Sequence, residues 1–328
     1  GEERWIESSG KVLFDGDGHP EKLTGFIRDI TAVKQADLHK NINETVLQLL
    51  VKETPLVDVL NEIIHIIEES NPAKICSILL LDETGKHLLS TAAPSLPDFY
   101  NEAINGVEIG GSVGSYGTAA FTQKRVIVED IQTHSYWANF KDLAAKAKLG
   151  SCWSQPIVGS NATILGTFAI YHHTSSTPNS NEIQLIEFAA QIASIAIERH
   201  RTTEQLKLSS KVFTHTQEGI SITNSSGTII DVNPAFCNIT GYTREEIVGQ
   251  NPSIISSGRQ SAAFYSEMWK ELSEHGYWKG EIWNKKKNGE LFAEQLSISS
   301  LYDDSNETVN YVGIFSDITL SKSHQEEL

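Results

Sequence analysis

Two apolar periodicities alternate along this chain. Leu38, Ile42, Val46 and Leu49 recur at three-to-four spacing, which predicts helix from residue 35, and Pro55 restarts a second amphipathic helix over Val57–Glu69. From Ala73 the pattern becomes strand-like: Ile75–Leu81, a Thr84-Gly85 turn, then His87–Thr91. Further strands are predicted at Arg125–Val128, Ser151–Val158 and Ile164–His172, with short helices at Asp98–Ile104, Ser115–Gln123 and Lys141–Ala147 between them. Glu182 to about Leu208 reads as one long helix with Ile186, Ala189, Ala193, Ala196 and Ile197 on its apolar side. After Ser209 a hairpin is predicted, Gly219–Thr223 and Gly227–Asp231 around Asn224-Ser-Ser-Gly. Short helices follow at Pro234–Thr240 and Arg244–Val248, then a longer one at Ala262–Glu274. Strands at Trp278–Lys285, Leu291–Leu301 and Thr308–Phe315 end the block. Lys285-Lys-Lys-Asn-Gly289 reads as a solvated hairpin tip.

One segment occurs twice. Gly25-Phe-Ile-Arg-Asp-Ile-Thr31 returns as Gly313-Ile-Phe-Ser-Asp-Ile-Thr319, each followed by Lys (Lys34, Lys322) and preceded by a turn, Asp15–Gly18 or Asp303–Asn306. The physical reading is a last strand handing over to a helix, with Thr31 or Thr319 placed as N-cap.

Composition narrows the setting. Among 328 residues, 42 acidic side chains against 26 basic give a net charge of −16. This argues against nucleic acid and against an anionic membrane face as partners. Three cysteines (Cys76, Cys152, Cys237) cannot form a disulfide framework and fit a reducing compartment. No stretch is long and apolar enough to span a bilayer, and the start lacks both Met and a leader. The expectation is a cytoplasmic fragment of a longer protein.

The last block resembles a PAS domain through Asp231-Val-Asn-Pro-Ala-Phe236, Thr240-Gly-Tyr-Thr-Arg-Glu-Glu-Ile-Val-Gly249, Trp278-Lys-Gly-Glu-Ile-Trp-Asn284 and Asp317-Ile-Thr319. Residues 1–34 resemble only the last strands of another. The middle block resembles a GAF domain through Gly111–Ala120, Ile127-Val-Glu-Asp-Ile131, Cys152-Trp-Ser-Gln-Pro-Ile157, Leu165–Ile170 and Ala189–Arg199. The implied fold class is α+β, each domain a central antiparallel sheet flanked by helices and joined by long, coiled-coil-like helices. The expected division is a PAS remnant (1–34), a linker helix (35–54), GAF (55–200), a linker helix (201–213), PAS (214–320) and the start of an output connector (321–328).

For the GAF pocket the resemblance points to Tyr116, Thr118, Trp137, Cys152, Trp153, Gln155 and Phe168, and for the PAS pocket to Phe236, Asn251, Trp278 and Asn284. Tyr116 stands where relatives often carry a cysteine, which one GAF branch uses to reduce free methionine sulfoxide, so that thiol chemistry is not expected. Pro252 stands where light-sensing LOV domains carry their reactive cysteine, which excludes cysteinyl–flavin photochemistry. A nearer likeness is to flavin-binding PAS domains of redox sensors, through Asn251-x-Ser-Ile-x-Ser-x-Gly258 and Trp278-Lys-Gly280. The same motifs occur in PAS domains with no cofactor. The expectation is therefore no cofactor, with a PAS-bound flavin as the alternative.

No metal-binding spacing appears, and His172-His173 at a strand end point to opposite faces. The glycine run Gly110–Gly117 lacks a phosphate-loop ending. Adjacent pairs such as Glu68-Glu69, Glu245-Glu246 and Glu326-Glu327 read as solvated faces, and nothing reads as catalytic. The resemblance implies a sensory and dimerisation region of a bacterial signalling protein, passing a small-molecule or redox signal along linker helices to GGDEF or EAL domains that turn over cyclic di-GMP. A histidine-kinase sensor and a ligand-free protein-interaction scaffold are the alternatives. Dimer contacts are expected along the linker helices and across residues 186–197.

Overall fold

The computed structural model describes residues 4–15 and 17–326, with side chains described as far as Ser323. Gly16 of the first turn, and Glu327 and Leu328 at the end of the expected connector, lie outside the described residues, as do Gly1–Glu3. The chain divides into two units, 1–203 and 204–328.

The first unit opens with an antiparallel hairpin, β1 (Ile6–Phe14) and β2 (Pro20–Asp29), followed by helix α1 (Thr31–Val51). Pro55 separates this from α2 (Leu56–Ser70), whose Val59, Leu60, Ile63, Ile64 and Ile67 are buried. Strands β3 (Ile75–Leu81) and β4 (His87–Ala92) follow, then α3 (Asp98–Ile104), β5 (Val107–Glu108), α4 (Gly114–Thr122) and β6 (Val126–Val128). Helix α5 (Lys141–Lys146) leads to β7 (Ser151–Val158) and β8 (Ile164–His172), and α6 runs from Ser180 to His215, the last twelve of its residues in the second unit. The six strands pair antiparallel in the order β5-β4-β3-β8-β7-β6.

Both faces of this sheet are covered. On one, Trp153, Ile157, Phe168 and Ile170 pack with α1, α2 and α6; on the other, Cys152, Ala169 and Tyr171 pack with Tyr100, Tyr116 and Trp137. Ile186, Ala189, Ala193, Ala196 and Ile197 of α6 are all buried in the first of these clusters. That corrects the expected dimer packing over 186–197: the Ala- and Ile-rich stripe is consumed by the domain's own core, at about 1.5–3 kcal/mol for each large side chain buried. What remains exposed is a different set, Val33, Leu47 and Val51 on α1 and Ile195, Leu206, Leu208 and Val212 on α6.

The second unit holds β9 (Gly219–Asn224), β10 (Ile229–Val232), α7 (Pro234–Thr240), α8 (Arg244–Ile247) and α9 (Ala262–His275). Strands β11 (Tyr277–Lys285), β12 (Leu291–Tyr302) and β13 (Thr308–Asp317) precede α10 (Thr319–Glu326). The sheet order is β10-β9-β13-β12-β11, every pair antiparallel. Asn233 explains the Asn-Pro motif. Its side-chain oxygen accepts from Phe236 N (2.9 Å) and Ile220 N (2.8 Å), so one residue caps α7 and fixes it to β9, while Pro234 fills the first helical turn. Thr243 and Glu246 form a reciprocal capping box at α8.

The repeated segment forms the same lock twice. Ile30 N donates to Trp5 O and Ile318 N to Ala293 O, both at 2.8 Å. Trp5 N donates to Thr31 Oγ1 and Ala293 N to Thr319 Oγ1, both at 2.9 Å. Asp29 and Asp317 each accept the following Thr N–H at 2.9 Å. The N-cap expectation for Thr31 and Thr319 is thereby corrected: each is the first helical residue, its hydroxyl turned back to the backbone N–H of Trp5 or Ala293, and the carboxylate two residues earlier takes the free helix N–H.

Candidate functional site

The second unit contains a cavity of about 290 Å³ between the sheet's inner face and α7, α9 and the 3₁₀ turn Pro252–Ile255. Strand alternation decides what faces it. β11 supplies Ile282 and Asn284, β12 supplies Glu294, Leu296 and Ile298, β13 supplies Tyr311, Gly313 and Phe315, and β9 supplies Ser221 and Thr223. The register places Ile282 opposite Glu294, Leu296 opposite Phe315, and Gly313 between Ile298 and Ser221. Gly313 keeps the middle of the sheet hollow: a Cβ there would stand 3.0 Å from Ser221 Oγ and 3.7 Å from Leu296 Cδ1. Phe236, Tyr265, Met268 and Trp269 form the opposite wall. Asn251 is held by its own bonds, donating to Gly227 O at 3.1 Å and accepting from Ser253 N at 3.0 Å.

The floor of this cavity carries a buried acid. Glu294 is 1% exposed; its Oε1 accepts a hydrogen bond from Asn284 Nδ2 at 2.8 Å, and its Oε2 is buried without a partner. Burial pushes its carboxyl up to about 7; the Asn284 hydrogen bond opposes this and the charge of Asp317, directly opposite on β13, adds to it. An apolar chamber with convergent polar groups is the usual form of an organic-ligand site.

Of the sequence-derived PAS candidates, Phe236, Asn251 and Asn284 line this cavity. Trp278 does not: it packs with Met268, Leu272 and Ile282, edge-on to Phe264 at 5.9 Å, its ring where a Cβ on Gly280 would sit. Glu294, Tyr311 and Gly313 were missed. The signal for Glu294 was present, since Phe292, Glu294, Leu296 and Ile298 alternate, placing an acid in an inward-facing apolar row.

The GAF candidates divide between the two sheet faces. Tyr116, Thr118, Trp137 and Cys152 gather where α4 meets β7. Trp137 Nε1 donates to Ser115 Oγ (3.0 Å), Ser115 Oγ donates to Cys152 O (3.2 Å), and Tyr116 lies edge-on to Trp137 at 5.7 Å. Tyr116, Trp137 and Cys152 are fully buried, with Thr118 at 1% exposure. Burial raises the Tyr116 phenol and takes the Cys152 thiol to about 12, so Cys152 is protonated at neutral pH. Trp153 and Phe168 belong to the cluster on the other face, and Gln155 shares the strand parity of Trp153. His172, the last residue of β8, is buried, and His173, just past the strand, is exposed.

A second, more polar recess of about 570 Å³ in the first unit is lined by Trp5, Lys34, His39, Lys74 and Glu182, among others. Lys74 and Glu182 partner each other across it at 3.8 Å. Among the described residues no group of His, Cys, Asp and Glu is placed to hold a metal ion.

Comparison with known proteins bears on the blocks separately. Residues 53–198 match the family model of the GAF domain and residues 217–320 that of the PAS domain. A methyl sulfide methyltransferase-associated sensor of Methanosarcina acetivorans is 31% identical over 279 residues, covering 84% of this chain and 28% of that protein. A nitrogen fixation regulatory protein of Klebsiella oxytoca is 31% identical over 109 residues, covering 33% of this chain and 22% of that one. A blue-light photoreceptor of Listeria innocua is 34% identical over 113 residues, covering 34% and 44%. The chain thus spans 28% and 22% of the lengths of the first two relatives. It carries a GAF domain followed by a PAS domain, each an antiparallel sheet flanked by helices.

Proposed function

We propose that this chain is the sensory part of a cytoplasmic signalling protein, and that the PAS cavity is its small-molecule site. The observation that carries the reading is the cavity of about 290 Å³ floored by a buried acid with a free oxygen. The similarity to proteins named as a sensor and a regulatory protein supports it. A ligand that favours one packing of the cavity walls biases the elements that leave the domain, α6 before it and α10 after it. The exposed apolar positions of α1 and α6 support a homodimer along these helices. The downstream effector in this reading is a cyclic di-GMP cyclase or phosphodiesterase, with a histidine kinase as the alternative; the fragment itself has a regulatory role. No described helix is long and apolar enough to cross a membrane.

We assign residues 1–34, whose described part holds the β1–β2 hairpin, as the C-terminal remnant of a preceding PAS domain. The twin locks at Thr31 and Thr319 support this. So do the exposed apolar side chains Val12, Leu23 and Ile27 on one face of the hairpin, the last holding the position in the repeat that buried Phe315 holds in the second copy. Flavin in the PAS cavity is the second reading, favoured by the position of Asn284 in the lining. The fit is partial, because Trp278, expected beside the ring, lies outside the lining.

Visible absorption of the purified chain, followed by acid extraction and mass spectrometry, tests the proposal. A colourless extract containing a small organic compound that is lost in Gly313→Leu is expected. A flavin spectrum would turn the reading to redox or light. An empty extract would favour a ligand-free scaffold.

A further inference from the structure

Resting on the reading of the PAS cavity as a ligand site, we propose that its ligand is a small organic cation, an ammonium or amidinium group on an apolar body, bound through Glu294 Oε2. Three features of the cavity lead there. The first is the acid itself. At 1% exposure, with Oε1 engaged by Asn284 at 2.8 Å, Glu294 keeps one buried oxygen with no partner, which folding alone leaves uncompensated. The second is the sign of the surroundings. The residue opposite Glu294 on β13 is the carboxylate Asp317, and among the described residues lining the cavity there is no Lys, Arg or His. An anion brought to Oε2 would meet the Glu294 carboxylate with no cation in the lining to offset it, whereas a cation is attracted there. The third is the apolar wall. Phe236, Tyr265, Trp269, Tyr311 and Phe315 present aromatic rings, which accommodate both a hydrocarbon body and the flank of a cation. A cation completes the Glu294 hydrogen bonding and neutralises the charge that burial disfavours. A neutral ligand does only the first, and an anion neither.

The test uses the full chain and three probes of one shape: benzylammonium, benzyl alcohol and benzoate, titrated by calorimetry at pH 8. Benzylammonium is expected to bind at least tenfold tighter than benzyl alcohol, with benzoate weakest. Glu294→Gln, which preserves shape, is expected to lose about tenfold to a hundredfold for benzylammonium and to leave benzyl alcohol within about twofold, the range expected for a charge-assisted hydrogen bond. Below pH 7 the amine affinity falls as Glu294 takes up a proton. Gly313→Leu, filling the chamber, is expected to abolish binding of both. Equal or tighter binding of benzyl alcohol, or an amine affinity unchanged by Glu294→Gln, would overturn the cation assignment while leaving the cavity a ligand site. Failure of all three probes, or binding indifferent to Gly313→Leu, would overturn the assignment together with the cavity reading on which it rests.

Discussion

Replacing Glu294 with glutamine is expected to stabilise the ligand-free PAS domain at neutral and alkaline pH and to change little in acid. The carboxyl is raised from the usual 4.5 to about 7, with burial as the largest cause. At roughly 1.4 kcal/mol per tenfold change in proton affinity, ionising it in place costs about 3 kcal/mol. The sign follows from the direction of the shift. Since the folded value lies above the unfolded one, the protonated acid's stabilising contribution is complete below about pH 4.5. It is lost progressively as pH rises through 7. Glutamine keeps the shape and never ionises, so the variant gains nothing at pH 4 and about 3 kcal/mol by pH 8. Amide hydrogen exchange read on peptides from β11–β13, corrected for intrinsic exchange, gives opening free energies for this domain alone. A variant-minus-parent difference rising between pH 5 and 8 is expected. A difference that is flat with pH, or a glutamine variant less stable throughout, would refute the claim that Glu294 is a desolvated acid.

Other consequences can be checked independently. Iodoacetamide applied to the native chain should alkylate half-buried Cys237 before Cys76 and Cys152, whose thiols are fully buried and strongly raised; peptide mass spectrometry showing early Cys152 modification would contradict this packing. Thr319→Val should cost the PAS domain about 1 kcal/mol in chemical denaturation by leaving Ala293 N without its acceptor at 2.9 Å, whereas no loss would mean the lock is incidental. Gly166→Ala should destabilise the GAF domain by at least about 2 kcal/mol, because a Cβ would stand 2.1 Å from Leu79 O across the β3–β8 pair; an unchanged melting profile would refute that register. Leu206→Glu with Val212→Glu should convert a dimer to monomer in sedimentation experiments without loss of helix, and a persistent dimer would place the interface elsewhere.

The architecture was legible because its signals are local. Asn233-Pro234, Thr243 with Glu246, and the αL glycines Gly241 and Gly276 mark helix starts and stops by chemistry that needs no distant partner. The repeated Asp-Ile-Thr segment announced a common strand-to-helix corner, though its hydrogen bonds run to Trp5, just before β1, and to Ala293 of β12, 26 positions away in the chain. The division of the GAF candidates was not legible. β7 is buried on both sides, so Cys152 and Trp153 read alike as core, and only the layers above and below the sheet assign them to opposite chambers. For the same reason the Ala-rich face of α6 resembled an oligomer seam: small apolar residues at helical spacing serve either use, and here α1, α2 and the sheet occupy it. Trp278 was displaced from the expected ligand wall because Gly280, two residues on, lets its ring fold flat over the strand.

A crystal structure of the chain as purified tests the central claim most directly. The account predicts density for a non-protein molecule in the chamber between Phe315, Asn284 and Phe236, with a nitrogen about 2.7–3.0 Å from Glu294 Oε2. A chamber closed by Leu296, Tyr311 and Phe315 repacked into it, with Glu294 turned to a partner within the chain, would contradict the account.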